Sequence, residues 1–298
     1  MIEFVEGAQV VVNEAPWAIN VKGLEKSYGK VQALRGVDLQ VQRGTIFGLV
    51  GPNGAGKTTL IKALVGALKP TGGTIRVLGM DPLDQRWALR REIGYMPQST
   101  ALYEDLSARA NILFFNQAQP IEHLAEKVDE ILIFTELSDR ADDHITTFSG
   151  GMKKRVSLAC ALVHQPAIII LDEPTAAVDP HLRFRMWNLF RELASQGKTL
   201  FISTHLMEEA TLCDRVAVLR QGEIIADDSP AALLEAGRAR LAVLRGSRLE
   251  EETIAATPQA LAEGLRPYGL ASEVEAVLVK PDTLEDVILA IIQEVGDS

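Results

Sequence analysis

The sequence runs to 298 residues, 47% of them hydrophobic, enough for one sizeable α/β core with a smaller appendage. A net charge of −10 and an isoelectric point near 5.1 leave no overall basic field, so no nucleic acid is expected as the principal partner. Cys160 and Cys213 form no Cys-x-x-Cys pair, which suits a reducing compartment and excludes a multi-cysteine zinc module; no apolar run approaches the ~18 residues of a membrane span, and the acidic start Met1–Glu6 is unlike a signal peptide, so the chain is expected to be soluble.

Residues 1–16 offer only Val10-Val11-Val12 as a candidate strand. From Trp17 the pattern changes: Trp17, Ile19 and Val21 alternate with smaller or polar neighbours, as do Val37, Leu39 and Val41, the signature of half-buried antiparallel strands joined through Ser27-Tyr28-Gly29-Lys30. Tyr28, at that turn, suits either an amphipathic ring at a strand edge or a platform for a stacked base.

The run Ile46–Val50 reads as a buried parallel strand and Leu60–Val65 as a helix. Between them stands Gly51-Pro52-Asn53-Gly54-Ala55-Gly56-Lys57-Thr58-Thr59, a Gly-x-x-x-x-Gly-Lys-Thr spacing in the strand-to-helix setting that a phosphate-binding loop requires. Glycines let several backbone N–H groups converge on one anion, and the helix N-terminus adds partial positive charge. Lys57 then supplies a point charge to the β- and γ-phosphates, and the Thr58 hydroxyl a ligand for Mg²⁺.

Lys69–Gly73 ends that helix and Thr74–Val77 reads as a short strand, followed by a strand over Ile93–Gln98. Gln98, just past the apolar part, is either loop or a site residue, since ligands of open α/β sheets gather at the carboxyl ends of strands. Residues 99–147 read as a helical insertion, with one helix from near Ser107 through Asn111–Phe115 and another carrying Ile121, Leu124, Val128, Ile131 and Leu132 at helical spacing. Phe148-Ser149-Gly150-Gly151-Met152 opens a further helix, its Ser-Gly-Gly turn either an anion site or an N-cap.

Ala167–Leu171 reads as a fully buried parallel strand ending in two carboxylates, Asp172 and Glu173. Buried charge at that end calls for a cation or ligand; Asp172 fits support of Mg²⁺, and Glu173 fits the general base that polarises an attacking water. Asp179-Pro180 starts a helix with a capping carboxylate and Pro at the first helical position. Thr199–Thr204 is another buried strand, and His205 past its end lies on the same sheet edge as Lys57, Asp172 and Glu173, where it could sense a γ-phosphate.

Taken together, these stretches resemble the ATP-binding subunit of an ATP-binding-cassette (ABC) transporter, over roughly Trp17 to Ser229. Gly51–Thr59 looks like Walker A, Gln98 the Q-loop, Ser149-Gly150-Gly151 the signature, Ile168–Glu173 Walker B, Ala177-Val178-Asp179 the D-loop and His205 the switch histidine. Tyr28 matches the A-loop aromatic that stacks on adenine. The resemblance implies a P-loop NTPase cassette, with a mostly parallel core sheet, an antiparallel β-subdomain and a helical subdomain at about 99–165, occupying residues 1–229 before a small α+β extension at 230–298. It further implies that Thr58, Gln98 and Asp172 hold Mg²⁺, that Lys57, Glu173 and His205 act in ATP hydrolysis, and that two cassettes close head to tail with Ser149, Gly150, Gly151 and Asp179 of one subunit against the nucleotide of the other.

The signature departs from the family pattern at Met152, where Gln is usual, and at Phe148, where Leu is common; Met cannot donate the hydrogen bonds of an amide. In the tail, Arg240–Leu244 and Val274–Val279 look like strands, and Asp282 with Glu285 has capping-box spacing before a last helix. Asp282–Ile292 is similar to the tail of ATPases from the daunorubicin-resistance type of bacterial exporter, or else belongs to a generic appendage. The expectation is an exporter ATPase, peripheral on the cytoplasmic face of the inner membrane, working as a dimer, most simply a homodimer, on a separate permease. A soluble cassette acting on ribosomes or DNA, or an importer ATPase, are the alternatives.

Overall fold

The computed structural model describes residues 17–117, 119–245, 248–269 and 274–296; the candidate strand at Val10–Val12 lies outside them. In chain order the elements are β1 (Trp17–Tyr28), β2 (Val31–Gln42), β3 (Ile46–Val50), α1 (Lys57–Leu64), β4 (Gly72–Val77), α2 (Arg86–Glu92), β5 (Ile93–Met96), α3 (Ala108–Asn116), α4 (Leu124–Phe134), α5 (Gly150–Leu162), β6 (Ile168–Asp172), α6 (Pro180–Ser195), β7 (Thr199–Thr204), α7 (Met207–Ala210), β8 (Arg215–Arg220) and β9 (Glu223–Asp228). The tail adds α8 (Pro230–Glu235), β10 (Arg238–Arg245), β11 (Arg248–Ala255), α9 (Pro258–Leu265), β12 (Val274–Pro281) and α10 (Leu284–Gly296).

The central sheet has the order β5-β6-β7-β3-β8-β9, parallel except for the β8–β9 pair. Every residue of β3, β6 and β7 is buried, which explains their near-continuous apolar runs: both faces of these strands are covered. Phe47 of β3 pairs in register with Phe201 of β7, and their rings stack at 5.6 Å. On one face α1 and the antiparallel sheet β2-β1-β4 pack Leu60, Ile61, Leu24 and Val41 against Phe47 and Phe201. On the other, α5 and α6 pack Leu158, Trp187 and Phe190 against Ile169, Leu200 and Ile202. A third core, with Ile112, Val128, Leu132, Ile145, Phe148 and Val156, belongs to the helical insertion.

Three of the helix starts carry side-chain caps that bear on the site and the helical insertion. Ser107 caps α3 through Ala110 N (3.1 Å), Ser149 caps α5 through Met152 N (3.3 Å), and Asp179 caps α6 through Leu182 N (2.9 Å), which holds the Asp179 carboxyl below the usual carboxylate range. Ile121 lies ahead of α4 rather than within it, because α4 begins at Leu124.

The tail forms a third sheet, β11-β10-β12, wholly antiparallel. The expected strands at 240–244 and 274–279 are present; β11 and α9 were not read from the sequence. α8 and α10 send Leu233, Leu284 and Ile288 into the same apolar core as Val216 and Val218 of β8, so these helices are bound to the cassette while the third sheet stands beyond it. The expected capping box at Asp282 and Glu285 is corrected by one residue. Thr283 Oγ1 accepts from Asp286 N (3.2 Å) and Asp286 Oδ2 accepts from Thr283 N (2.8 Å), because Asp282 Oδ2 is already taken by Arg238 N at 2.9 Å. Thr283→Ala is therefore expected to lower unfolding stability by about 1 kcal/mol, and Glu285→Ala to leave it within about 0.5 kcal/mol, by urea denaturation.

Candidate functional site

The Gly-rich loop owes its path to two close backbone approaches. A Cβ on Gly51 would meet Leu219 O at 2.2 Å, and one on Gly56, at φ 114°, would meet Ala33 O at 2.6 Å. Only glycine fits either position. Ala55 N donates back to Pro52 O (3.2 Å), closing the loop over the N-terminus of α1. A cleft of about 320 Å³ opens there, lined by Asn53, Lys57, Thr58, Thr59, Gln98 and Glu173, among others. A larger cleft of about 590 Å³, walled by Trp17, Gln40, Phe47 and Arg215, holds none of the motif residues.

The sheet brings the separated motifs to one edge. Asp172 and Glu173, ending β6, are 1% and 6% exposed. Asp172 is fully engaged: Ser203 Oγ donates to Oδ1 (2.5 Å) and Thr58 Oγ1 to Oδ2 (2.9 Å). Glu173 receives Gln98 Nε2 on Oε2 at 3.1 Å; His205 Nδ1 lies 3.2 Å from the same oxygen, and Lys57 Nζ 3.4 Å from Oε1. Lys57 Nζ also donates to Gly51 O (2.7 Å) and Pro52 O (3.2 Å). Four of the residues expected at the site, Lys57 and Thr58 from α1, Gln98 from the segment after β5 and His205 from the segment after β7, thus converge on the carboxylate pair at the end of β6. Next to them, burial and the Asp172 carboxylate push the Tyr95 phenol up to about 12, so it stays protonated.

Glu173 has φ 49° and Ala177 φ 58°, a left-handed conformation that L residues rarely adopt and that concentrates at functional sites. The Glu173 backbone is pinned from two sides. Its N–H lies 3.1 Å from both Ser203 O and Ser203 Oγ, and its carbonyl accepts from Lys154 Nζ at 2.6 Å. Burial pushes the Lys154 ammonium down, while Glu173, Asp172 and Glu209 hold it up; the net shift is downward.

The donor set suits Mg²⁺ with phosphate. Thr58 and Asp172 offer two hard oxygens 2.9 Å apart beside the phosphate loop, with Gln98 nearby, and among the described residues no cluster of three or more His, Cys, Asp or Glu could cage a metal. Few protein oxygens completed by phosphate and water is the coordination Mg²⁺ favours.

Other expected residues stand apart. Tyr28 is half exposed at the β1–β2 turn, with Lys26 Nζ 5.1 Å from its ring centre. Ser149, Gly150 and Gly151 do not line the cleft, and Met152 is partly buried against the core of the helical insertion. Sequence reading missed Ser203, Lys154 and a buried tie at Glu209. Glu209, 1% exposed, accepts from Thr175 Oγ1 (2.5 Å) and Thr204 Oγ1 (2.7 Å), joining the exits of β6 and β7. The available signal was a Ser-Thr pair ending an apolar strand, too common a pattern to single out.

Comparison with known proteins agrees with this geometry. A family model described as "ABC transporter" matches residues 34–176. Nod factor export ATP-binding protein I of Rhizobium sp. (strain N33) is 38% identical over 271 residues, covering 90% of this chain and 84% of that protein. A daunorubicin resistance ATP-binding protein of Streptomyces coeruleorubidus is 40% identical over 237 residues, covering 77% and 74%. A solved ATP-binding subunit of an ABC transporter superposes with a TM-score of 0.71 at 24% identity, covering 92% of this chain and 99% of that one, a likeness of fold.

Hydrogen bonds to charged groups contribute about 1.5–3 kcal/mol, so Lys57→Met is expected to weaken binding of a fluorescent ATP analogue by about 10–100-fold in direct titration. Unchanged affinity would remove Lys57 from the phosphate site.

Proposed function

Given that the chain belongs to the ABC transporter family, as an ATP-hydrolysing cassette, we propose that it energises export of a solute through a separate membrane-spanning permease. The observation that carries this reading is the convergence of Lys57, Gln98, Asp172, Glu173 and His205 beside the Gly-rich loop, in a chain that a Nod factor export relative matches over 90% of its length. No helix among the described residues is long and apolar enough to cross a membrane, and a transport path supplied by a separate partner fits that. The chain would then sit peripherally on the cytoplasmic face of the membrane.

The roles follow from position. Backbone N–H groups from Gly51 to Thr59 and the N-terminus of α1 receive the phosphates, and Lys57 exchanges its loop carbonyls for β- and γ-phosphate oxygens. Thr58, Asp172 and Gln98 would hold Mg²⁺, whose charge would offset the negative charge on the phosphates during transfer. Glu173 takes a proton from the attacking water as the bond from γ-phosphorus to the leaving ADP oxygen breaks. His205, bonded to the same carboxylate, lies where it can contact the γ-phosphate, and Tyr28 presents an exposed ring for adenine. Ser149, Gly150 and Gly151, at the open N-terminus of α5, are turned to a second copy: they add N–H groups and a helix dipole to its nucleotide, with Asp179 at the same interface. Residues 1–229 form the cassette and 230–298 the accessory part.

Membranes carrying the tagged full chain, extracted in mild detergent, are expected to yield a multi-spanning protein in near-equal amount by mass spectrometry. Recovery in the soluble fraction with ribosomal or DNA-repair proteins would retain the ATP chemistry and defeat the transport reading.

A further inference from the structure

Three cations follow one another in the first turns of α5, and they point to three different places. Lys153 Nζ pairs with Glu104 at 2.7 Å, and Arg155 Nη1 donates to Glu136 O at 2.9 Å, both within the helical insertion. Lys154 alone turns to the central sheet, where its Nζ donates to Glu173 O at 2.6 Å. Among the described residues that carbonyl also receives Ala176 N, at a longer 3.3 Å, and it belongs to a residue at φ 49°. A residue in this strained conformation persists only where its surroundings hold it, and the bond from Lys154 is one of the contacts that hold the Glu173 peptide.

We propose that Lys154 is a positioning residue that sets the Glu173 carboxylate, and that it makes hydrolysis at one nucleotide respond to the start of α5, which the same chain offers to the other nucleotide. This rests on the head-to-tail closure proposed above. Ser149, which caps α5, precedes Lys154 by five residues, about 7.5 Å along the helix at 1.5 Å per residue. α5 is continuous over Gly150–Leu162, so a shift of its first turn carries Lys154 with it. The Glu173 backbone, fixed on the opposite side by Ser203, then turns about that fixed point, and the carboxylate moves against Gln98, His205 and Lys57. Misplacement of a reacting group by ~1 Å can cost about 10²-fold in rate, so a small displacement is sufficient.

The test uses the full chain with Lys154→Met, which keeps the stem and removes the ammonium, and Lys154→Arg, which restores a cation. With a non-hydrolysable ATP analogue and Mg²⁺, wild type and both variants are expected to form dimers by light scattering. Lys154→Met is expected to lose about tenfold in kcat with KM for ATP within about twofold, the signature of a displaced reacting group. The wild-type rate is expected to rise cooperatively with ATP and that of Lys154→Met hyperbolically, and Lys154→Arg should recover most of kcat and the cooperativity. Unchanged kcat and cooperativity in Lys154→Met, a matching rise in KM, or no recovery in Lys154→Arg overturns the inference. A wild-type chain that stays monomeric with the analogue overturns the head-to-tail closure and, with it, the coupling.

Discussion

Two adjacent carboxylates at the carboxyl end of a fully buried strand are the constraint on which the rest of this structure depends. Removing a charge from water is costly unless it is paired and hydrogen-bonded, and Asp172 and Glu173 are both removed. The stabilising groups come from three separate parts of the chain: Thr58 and Lys57 from α1, Gln98 from beyond β5, and Ser203 and His205 from the end of β7. The sheet order β5-β6-β7-β3 is what puts these segments around the end of β6, with the Gly-rich loop after β3 one strand further on. The same groups that offset the burial of the carboxylates are the ones proposed to act on ATP, so stability and the proposed function meet in a single set of hydrogen bonds and ion pairs.

The pairing also explains a division between the two acids. Asp172 has both oxygens occupied by hydroxyl donors that leave lone pairs for a cation, whereas Glu173 faces three nitrogen donors and sits on a left-handed backbone. One is a fixed ligand in a rigid strand. The other is carried on a turn whose position depends on its neighbours, including a lysine from the helix that begins with Ser149. On the proposed roles, a base on a turn can be moved and a ligand at the end of a strand cannot, a partition that suits an enzyme whose two sites are proposed to act together.

Much of this was legible in the sequence because the informative residues are extreme. Short apolar runs at Ile46–Val50, Ile168–Leu171 and Leu200–Ile202, bounded by polar or turn residues, suit strands covered on both faces, and Gly51 and Gly56 stand where any Cβ would strike backbone. What escaped is what depends on partners distant in sequence. Glu209 reads as one more acid in a short helix until Thr175 and Thr204 are seen on it, and Lys154 as one of three surface cations until Glu173 O is seen beneath it. The last helix shows the same limit: Asp282 with Glu285 and Thr283 with Asp286 have equal spacing, and the choice is made by Arg238 N, 44 positions away. The accessory sheet was half visible, because β10 is apolar while β11, an edge strand rich in Glu, has no burial pattern to betray it.

The central claim is that Glu173, rather than Asp172 or His205, takes the proton in hydrolysis. Its most direct test is ATP turnover of Glu173→Gln at saturating Mg²⁺ and ATP, with ATP affinity measured on the same preparation. A fall of at least about 10²-fold in turnover with binding retained is the result the account expects. Near-normal turnover would contradict it and move the role of base to another group.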